Sequence, residues 1–293
     1  MFARRSTFLS LLIAICGVIR YGTGGSRPVS VIAHMVNTPN SIRWALAQGA
    51  NGIEIDLKFE DSHPARFHHG FPCDCTCFLS YATFHDSGCM VLGEGCSAST
   101  DVAEMTDFLG STEIVSSPLA LIYIDAKLDK SVPNYAEAGA NVVRLFNDKV
   151  LARGYRGQII LGSSTISRSA FLRGALREAA NSNYADRYFY AIGQEGKKAD
   201  KVLKSSLQLG TRNIVYNTGA SACFPYKTFY NAIRYSLQSK AYAAVGIWTV
   251  DQEGSIRNYL NAGVDFIVTN RPKVAADIIG RQNVPYLKQL PVS

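Results

Sequence analysis

The sequence lacks the marks of several large protein classes. It has no dense Lys/Arg cluster and no RNA-type aromatic motif, so its formal charge of +7 makes no case for nucleic acid. Hydrophobic residues make up 47% and charged residues 18%, which excludes a disordered tail protein and a collagen-like chain. No apolar run reaches the ~20 residues that span a bilayer as a helix. There is no Asn-x-Ser/Thr sequon, which argues against N-glycosylation. A Gly-rich phosphate loop after the first candidate strand is also missing; His34-Met35-Val36-Asn37 stands there instead, which counts against a doubly wound open sheet.

What is present begins with residues Met1–Ser26. Arg4 and Arg5 open a basic start, Thr7–Ile19 is apolar, and small residues follow from Tyr21 to Ser26. The pattern is that of a cleaved secretory leader, with a membrane anchor as the alternative. Removing Arg4, Arg5 and Arg20 takes the charge from +7 to +4, mild enough to be compatible with work at an anionic lipid surface. Cysteine usage agrees with export. Of seven cysteines, Cys16 lies in the leader, leaving Cys73, Cys75, Cys77, Cys89, Cys96 and Cys223. An even number in an exported chain implies disulfides. A zinc cluster is the rival reading, but its ligands are usually two to four residues apart, whereas Cys73, Cys75 and Cys77 have single-residue gaps.

From there on, apolar runs alternate with amphipathic segments. Candidate strands are Val29–His34, Gly52–Leu57, Leu119–Ala126, Gln158–Gly162, Tyr188–Ile192, Asn213–Asn217, Ala243–Val250 and Asp265–Thr269. Helical patterns include Tyr135–Ala152, Arg168–Ala180, Lys198–Leu209 and Tyr226–Ser239, and Thr38-Pro39 is placed to cap a helix that Gly49 ends. An internal echo pairs Gln48–Ile53 with Ala262–Ile267, each a helix end, a glycine and the start of a strand. Eight strands with intervening helices predict one α/β domain over residues 27–293, a single (β/α)8 TIM barrel with disulfide-tied loops at its C-terminal face.

In such a barrel chemistry gathers at the C-terminal strand ends. Glu54 and Asp56, two apart on a strand, point to the same face, and adjacent like charges call for a cation. With Asp125 as a third oxygen ligand and no nearby thiolate, the set suits a hard ion, Mg²⁺ before Ca²⁺. The alternative pairs the carboxylates with Lys127 and an arginine. Two histidines flanking a phosphate can serve as base and acid, and His34 sits where it could meet a histidine of the long Lys58–Pro118 connection. The residues alone leave His68 and His69 undecided, and His63, His68 and His85 are read as structural or surface histidines. Lys127 can neutralise phosphate oxygens, and Trp248 can wall a quaternary ammonium.

Six strings occur in order: Ala33–Asn37, Gly49–Asp56, His69-Gly-Phe-Pro-Cys-Asp-Cys75, Asp125-Ala-Lys127, Trp248-Thr-Val-Asp251 and Thr269-Asn270. Together they resemble the sphingomyelinase D family, the phospholipase D toxins of spider venom, within the wider glycerophosphodiester phosphodiesterase-like barrels. The resemblance runs from about Arg27 to Ile279. It implies His34 and His69 as the catalytic pair and Glu54, Asp56 and Asp125 as holders of one Mg²⁺. Asp74 would orient His69, with Asp251 also in support; Lys127 and Asn270 would contact phosphate, and Trp248 would line the headgroup pocket. It implies a Cys75–Cys223 disulfide and a Cys73–Cys77 loop, with Cys89 and Cys96 forming a third bridge or one of them pairing with Cys73. The implied reaction removes choline or ethanolamine from sphingolipids and lysophospholipids as the lipid's own hydroxyl attacks phosphorus, giving a cyclic phosphate. The implied enzyme is secreted, monomeric and active on lipid at a membrane surface, without nucleic acid.

Three departures from the family pattern stand out. Leu128-Asp129-Lys130 follows the lysine, Tyr216-Asn217-Thr218 precedes the downstream cysteine region, and Gly246-Ile247 replaces aromatic residues, which is expected to open the wall beside Trp248. The competing functions are hydrolysis of soluble glycerophosphodiesters and a non-catalytic lipid-binding barrel.

Overall fold

The computed structural model describes residues 28–70, 97–193, 198–220 and 227–280. The leader, Asp74, His85 and all six cysteines of the expected disulfides lie outside the described residues.

Each candidate strand forms. The chain runs β1 (Ser30–Ala33), β2 (Gly52–Glu60), β3 (His63–His68), β4 (Ser99–Asp101), β5 (Leu121–Ala126), β6 (Gln158–Ser163), β7 (Tyr188–Gly193), β8 (Ile214–Gly219), β9 (Ala244–Trp248) and β10 (Phe266–Thr269). Eight of these are parallel in the order β1-β10-β9-β8-β7-β6-β5-β2, and β1–β2 pairing closes the ring. The result is a (β/α)8 barrel.

The remaining two strands were not anticipated. β2 runs three residues past its expected end, turns at Asp61, whose φ is +53°, and pairs antiparallel with β3. β4 then adds to β3. This hairpin rises from the mouth of the barrel and leads directly into His69. Of β3 only Phe67 is buried, so apolar alternation gave no signal there.

Strand alternation divides the apolar side chains into two packed sets. One points into the barrel: Ile32, Leu121, Ile160, Phe189, Val215 and Phe266 are among its members. The other, much larger, lies between the sheet and the helices. The helices flanking the sheet are α1 (Pro39–Ala47), α2 (Val102–Leu109), α3 (Thr112–Val115), α4 (Tyr135–Phe146), α5 (Ala170–Ala180), α6 (Ala199–Leu207), α7 (Lys227–Ser239), α8 (Glu253–Ala262) and α9 (Pro272–Ile279). Thr38 caps α1 as expected, its hydroxyl accepting from the Ser41 amide at 3.1 Å while the Thr38 amide donates to Ser41 Oγ. The internal echo is structural as well: Gly49 and Gly263 each close a helix with φ of +90° and +100°, a conformation that costs other residues a Cβ clash.

Candidate active site

The alternation that buries Ile32 inward puts His34 on the same face, just beyond the end of β1. Likewise Glu54 and Asp56 follow Gly52 on β2, and Asp125 follows Tyr123 on β5 with Lys127 just past its end. In-register pairing of β2 with β5 sets Asp56 beside Asp125. One ligand oxygen from each of Glu54, Asp56 and Asp125 lies within 4.8 Å of the others, the first two buried. Lys127 Nζ meets Asp125 Oδ2 at 2.6 Å and Asp56 Oδ1 at 2.7 Å, so part of the alternative charge pairing is present; no arginine joins it among the described ion pairs.

The electrostatics follow from burial and crowding. Burial, reinforced by the neighbouring Asp56 charge, pushes the Glu54 carboxyl well above its ordinary range. Burial acts the same way on Asp56, but Lys127, His69 and the Asn37 amide outweigh it and hold that carboxyl low. Lys127, despite burial, is raised by its three carboxylate neighbours and stays charged. Three oxygen donors gathered around buried negative charge fit a hard divalent cation.

The histidines converge on this cluster. His34 and His69 face each other edge to face with ring centroids 6.5 Å apart, and His34 Nε2 is 4.0 Å from Glu54 Oε2. His68 instead turns its Nδ1 to the Ala98 carbonyl at 2.9 Å. The backbone thus brings His69, and not His68, to His34. His63 stays exposed beside Asn141.

Asn270 lies between His34 and Asp251. Its amide nitrogen donates to Asp251 Oδ2 at 2.8 Å, which leaves Oδ1 as the acceptor toward His34 Nδ1 at 2.8 Å. Asp251 also receives the Asn270 backbone N–H at 2.8 Å and the Thr269 hydroxyl at 2.9 Å. A neutral His34 therefore carries its proton on Nδ1, and its Nε2 is turned toward the Glu54 side of the cluster. The Gly70 carbonyl, 2.8 Å from His69 Nδ1, fixes the second imidazole in the same tautomer.

A cavity of about 230 Å³ opens over these groups. His34, Glu54, Asp125 and Lys127 form its charged side, and Ser163, Ser164, Asn217 and Trp248 its uncharged side. Tyr123 lies at its base, its phenol pushed up by burial and so neutral. Tyr123 and Asn217 were not singled out for this place in the sequence; their inward register on β5 and β8 was the available signal. Gly246 does not open the wall as expected. A Cβ there would lie 2.0 Å from the Phe266 ring, so the neighbouring strand's phenylalanine already fills that space.

Comparison with known proteins places this arrangement. Two solved barrels share the fold over most of their length. One is a putative glycerophosphoryl diester phosphodiesterase from Silicibacter pomeroyi, with TM-score 0.58 and 15% identity, covering 88% of this chain and 95% of that one. The other is a glycerophosphodiester phosphodiesterase from Parabacteroides distasonis, with TM-score 0.58 and 16% identity, covering 87% and 98%. These likenesses show the (β/α)8 barrel fold. Sequence narrows the class. The profile of the dermonecrotic toxin SPH family matches residues 24–290. Dermonecrotic toxin SpeSicTox-betaIB1a of Sicarius peruensis is 31% identical over 266 residues, 86% of this chain and 93% of the toxin. LiSicTox-betaIA1ii of Loxosceles intermedia is 29% identical, covering 86% and 83%. The chain belongs to the dermonecrotic toxin SPH family.

Proposed function

We propose that this chain is a phospholipase D-type phosphorus–oxygen lyase that removes the choline or ethanolamine headgroup from sphingomyelin and lysophospholipids. The observation that carries the reading is the meeting of His34 and His69 over the Glu54–Asp56–Asp125 cluster at the barrel mouth, with Lys127 beside it. Membership in the dermonecrotic toxin SPH family supports it.

Glu54, Asp56 and Asp125 hold one Mg²⁺. When bound, that ion supplies positive charge to offset the phosphate's. Lys127 adds a fixed ammonium on the same side. One imidazole takes the proton from the lipid's own hydroxyl through Nε2, that oxygen bonds to phosphorus, and the P–O bond to the headgroup breaks. The other imidazole, protonated at the start, gives its proton to the departing alcohol. The products are a cyclic phosphate and free choline or ethanolamine, and a tethered nucleophile favours ring closure over attack by water. Asn270 and Asp251 hold His34 in the tautomer this requires, so Asn270 acts on the imidazole as well as at the phosphate subsite. The family resemblance assigns the support of His69 to Asp74, which lies outside the described residues. Trp248 borders the headgroup space.

Residues 1–26 serve as a secretory leader, and residues 27–293 form one extracellular catalytic domain working as a monomer at a lipid surface. The family resemblance implies Cys75–Cys223 and Cys73–Cys77 disulfides, with Cys89 and Cys96 forming a third or one of them pairing with Cys73; these residues lie outside the described ones. The test is headgroup release from lysophosphatidylcholine and lysophosphatidylethanolamine, beside a soluble glycerophosphodiester. Release from the lipids that both EDTA and His69→Ala abolish supports the reading. Turnover of the soluble diester alone, or none from a folded, disulfide-intact chain, contradicts it.

A further inference from the structure

The turn that follows β1 carries more than a histidine. Met35 has a left-handed backbone, with φ of +53°, rare for a residue with a side chain. That conformation accompanies a 2.7 Å hydrogen bond from its N–H to Glu54 Oε2, while the next amide, Val36, donates to the Glu54 carbonyl at 3.0 Å. Two residues further, Asn37 is fully buried and holds Asp56 from both sides. Its amide nitrogen donates to Asp56 Oδ2 at 2.6 Å, and its carbonyl accepts the Asp56 backbone N–H at 2.8 Å. The partners fix which way the amide faces, since a backbone N–H can only donate.

The turn therefore engages one oxygen of each carboxylate. The other oxygen of Asp56 faces the cluster, where Lys127 meets it at 2.7 Å. We infer that Asn37 and the Met35 amide are positioning groups that restrain Glu54 and Asp56 so that each offers a divalent cation a single oxygen. This rests on the metal-assisted reading given above. It also means that the turn bearing His34 aligns the cation's ligands, so imidazole and ion keep a common reference. Partners that orient metal ligands typically contribute 10–100-fold to affinity.

The test is Mn²⁺ binding to the full mature chain without substrate, followed by electron paramagnetic resonance, for wild type and Asn37→Ala. The dissociation constant is expected to rise roughly 10–100-fold, with far-ultraviolet circular dichroism unchanged in EDTA. Lipid turnover by the variant is expected to recover when Mg²⁺ is raised, a shift in metal requirement rather than in the saturated rate. Asn37→Ser, which keeps a shorter donor, carries the measurement if the alanine variant does not fold, with a smaller loss expected. A folded variant that binds Mn²⁺ as tightly as wild type overturns the inference and leaves the functional reading standing. Absence of Mn²⁺ binding by folded wild type overturns the metal-assisted reading itself, and the inference with it.

Discussion

The lower interior of the barrel and its mouth are built from the same strands, a few residues apart, yet they do opposite work. Below, Ile32, Leu121, Ile160, Phe189 and Phe266 fill the barrel with apolar volume. Above, His34 follows Ile32, Asp125 and Lys127 follow Tyr123, Asn270 follows Val268, and on β2 Glu54 and Asp56 stand over Gly52. The lower layer gains stability from burial, at about 25 cal/mol per Å² of apolar area. At the mouth, burial opposes ionisation of the clustered carboxylates and is offset by Lys127, His69 and hydrogen bonds. Stability and chemistry are separated by height along the barrel axis, as strained or costly groups gather where function needs them.

That comparison breaks if substitutions at the two levels behave alike. The largest effect is expected at the mouth: His34→Ala lowers kcat/KM for lysophospholipid by roughly 10²–10⁴-fold, while the melting temperature stays close to wild type. Next comes the interior. Phe266→Ala is expected to cost about 3–5 kcal/mol of unfolding free energy by denaturant titration, with the remaining folded enzyme keeping its metal affinity. Gly246→Ala tests the same layer from the opposite side, since its methyl group would enter the Phe266 ring. Overpacking of this kind costs about 1–3 kcal/mol, and Phe266→Leu beside it should recover part of the loss.

The smallest effect concerns pH. Glu54 has a raised pKa in the ion-free chain, so at pH values between its ordinary range and that raised value it holds a proton that a cation must displace. Mg²⁺ affinity should therefore increase as pH rises through this window, by at most about tenfold per pH unit for one proton released, and level off above it. Glu54→Gln should flatten the slope in isothermal titration. A slope unchanged in that variant would assign the proton elsewhere.

How much of this could be read from sequence differs between the same two levels. The eight barrel strands announced themselves through near-continuous apolar runs, and Glu54-Ile-Asp56 revealed its facing through the period of two. Asn37 gave no comparable sign. A lone asparagine beyond a strand is ordinarily a turn residue, and only the three-dimensional path of the turn sets it against Asp56. The β2–β3 hairpin was hidden because its outer residues are polar, and with it the reason His69 rather than His68 reaches His34. Gly246 was misread for a related cause. A missing side chain suggests an open space, but the space belongs to whichever neighbour reaches it, and here Phe266 on β10 does.

The central claim is that paired imidazoles over an acidic, cation-holding cluster drive attack by the lipid's own hydroxyl. The most direct measurement is ³¹P nuclear magnetic resonance of the products formed by the mature, disulfide-intact chain from sphingomyelin, lysophosphatidylcholine and lysophosphatidylethanolamine with Mg²⁺. The account expects a cyclic phosphate as the first phosphorus product, absent with His34→Ala or EDTA. A linear phosphomonoester appearing first would contradict it, because water and not the lipid hydroxyl would then be the nucleophile.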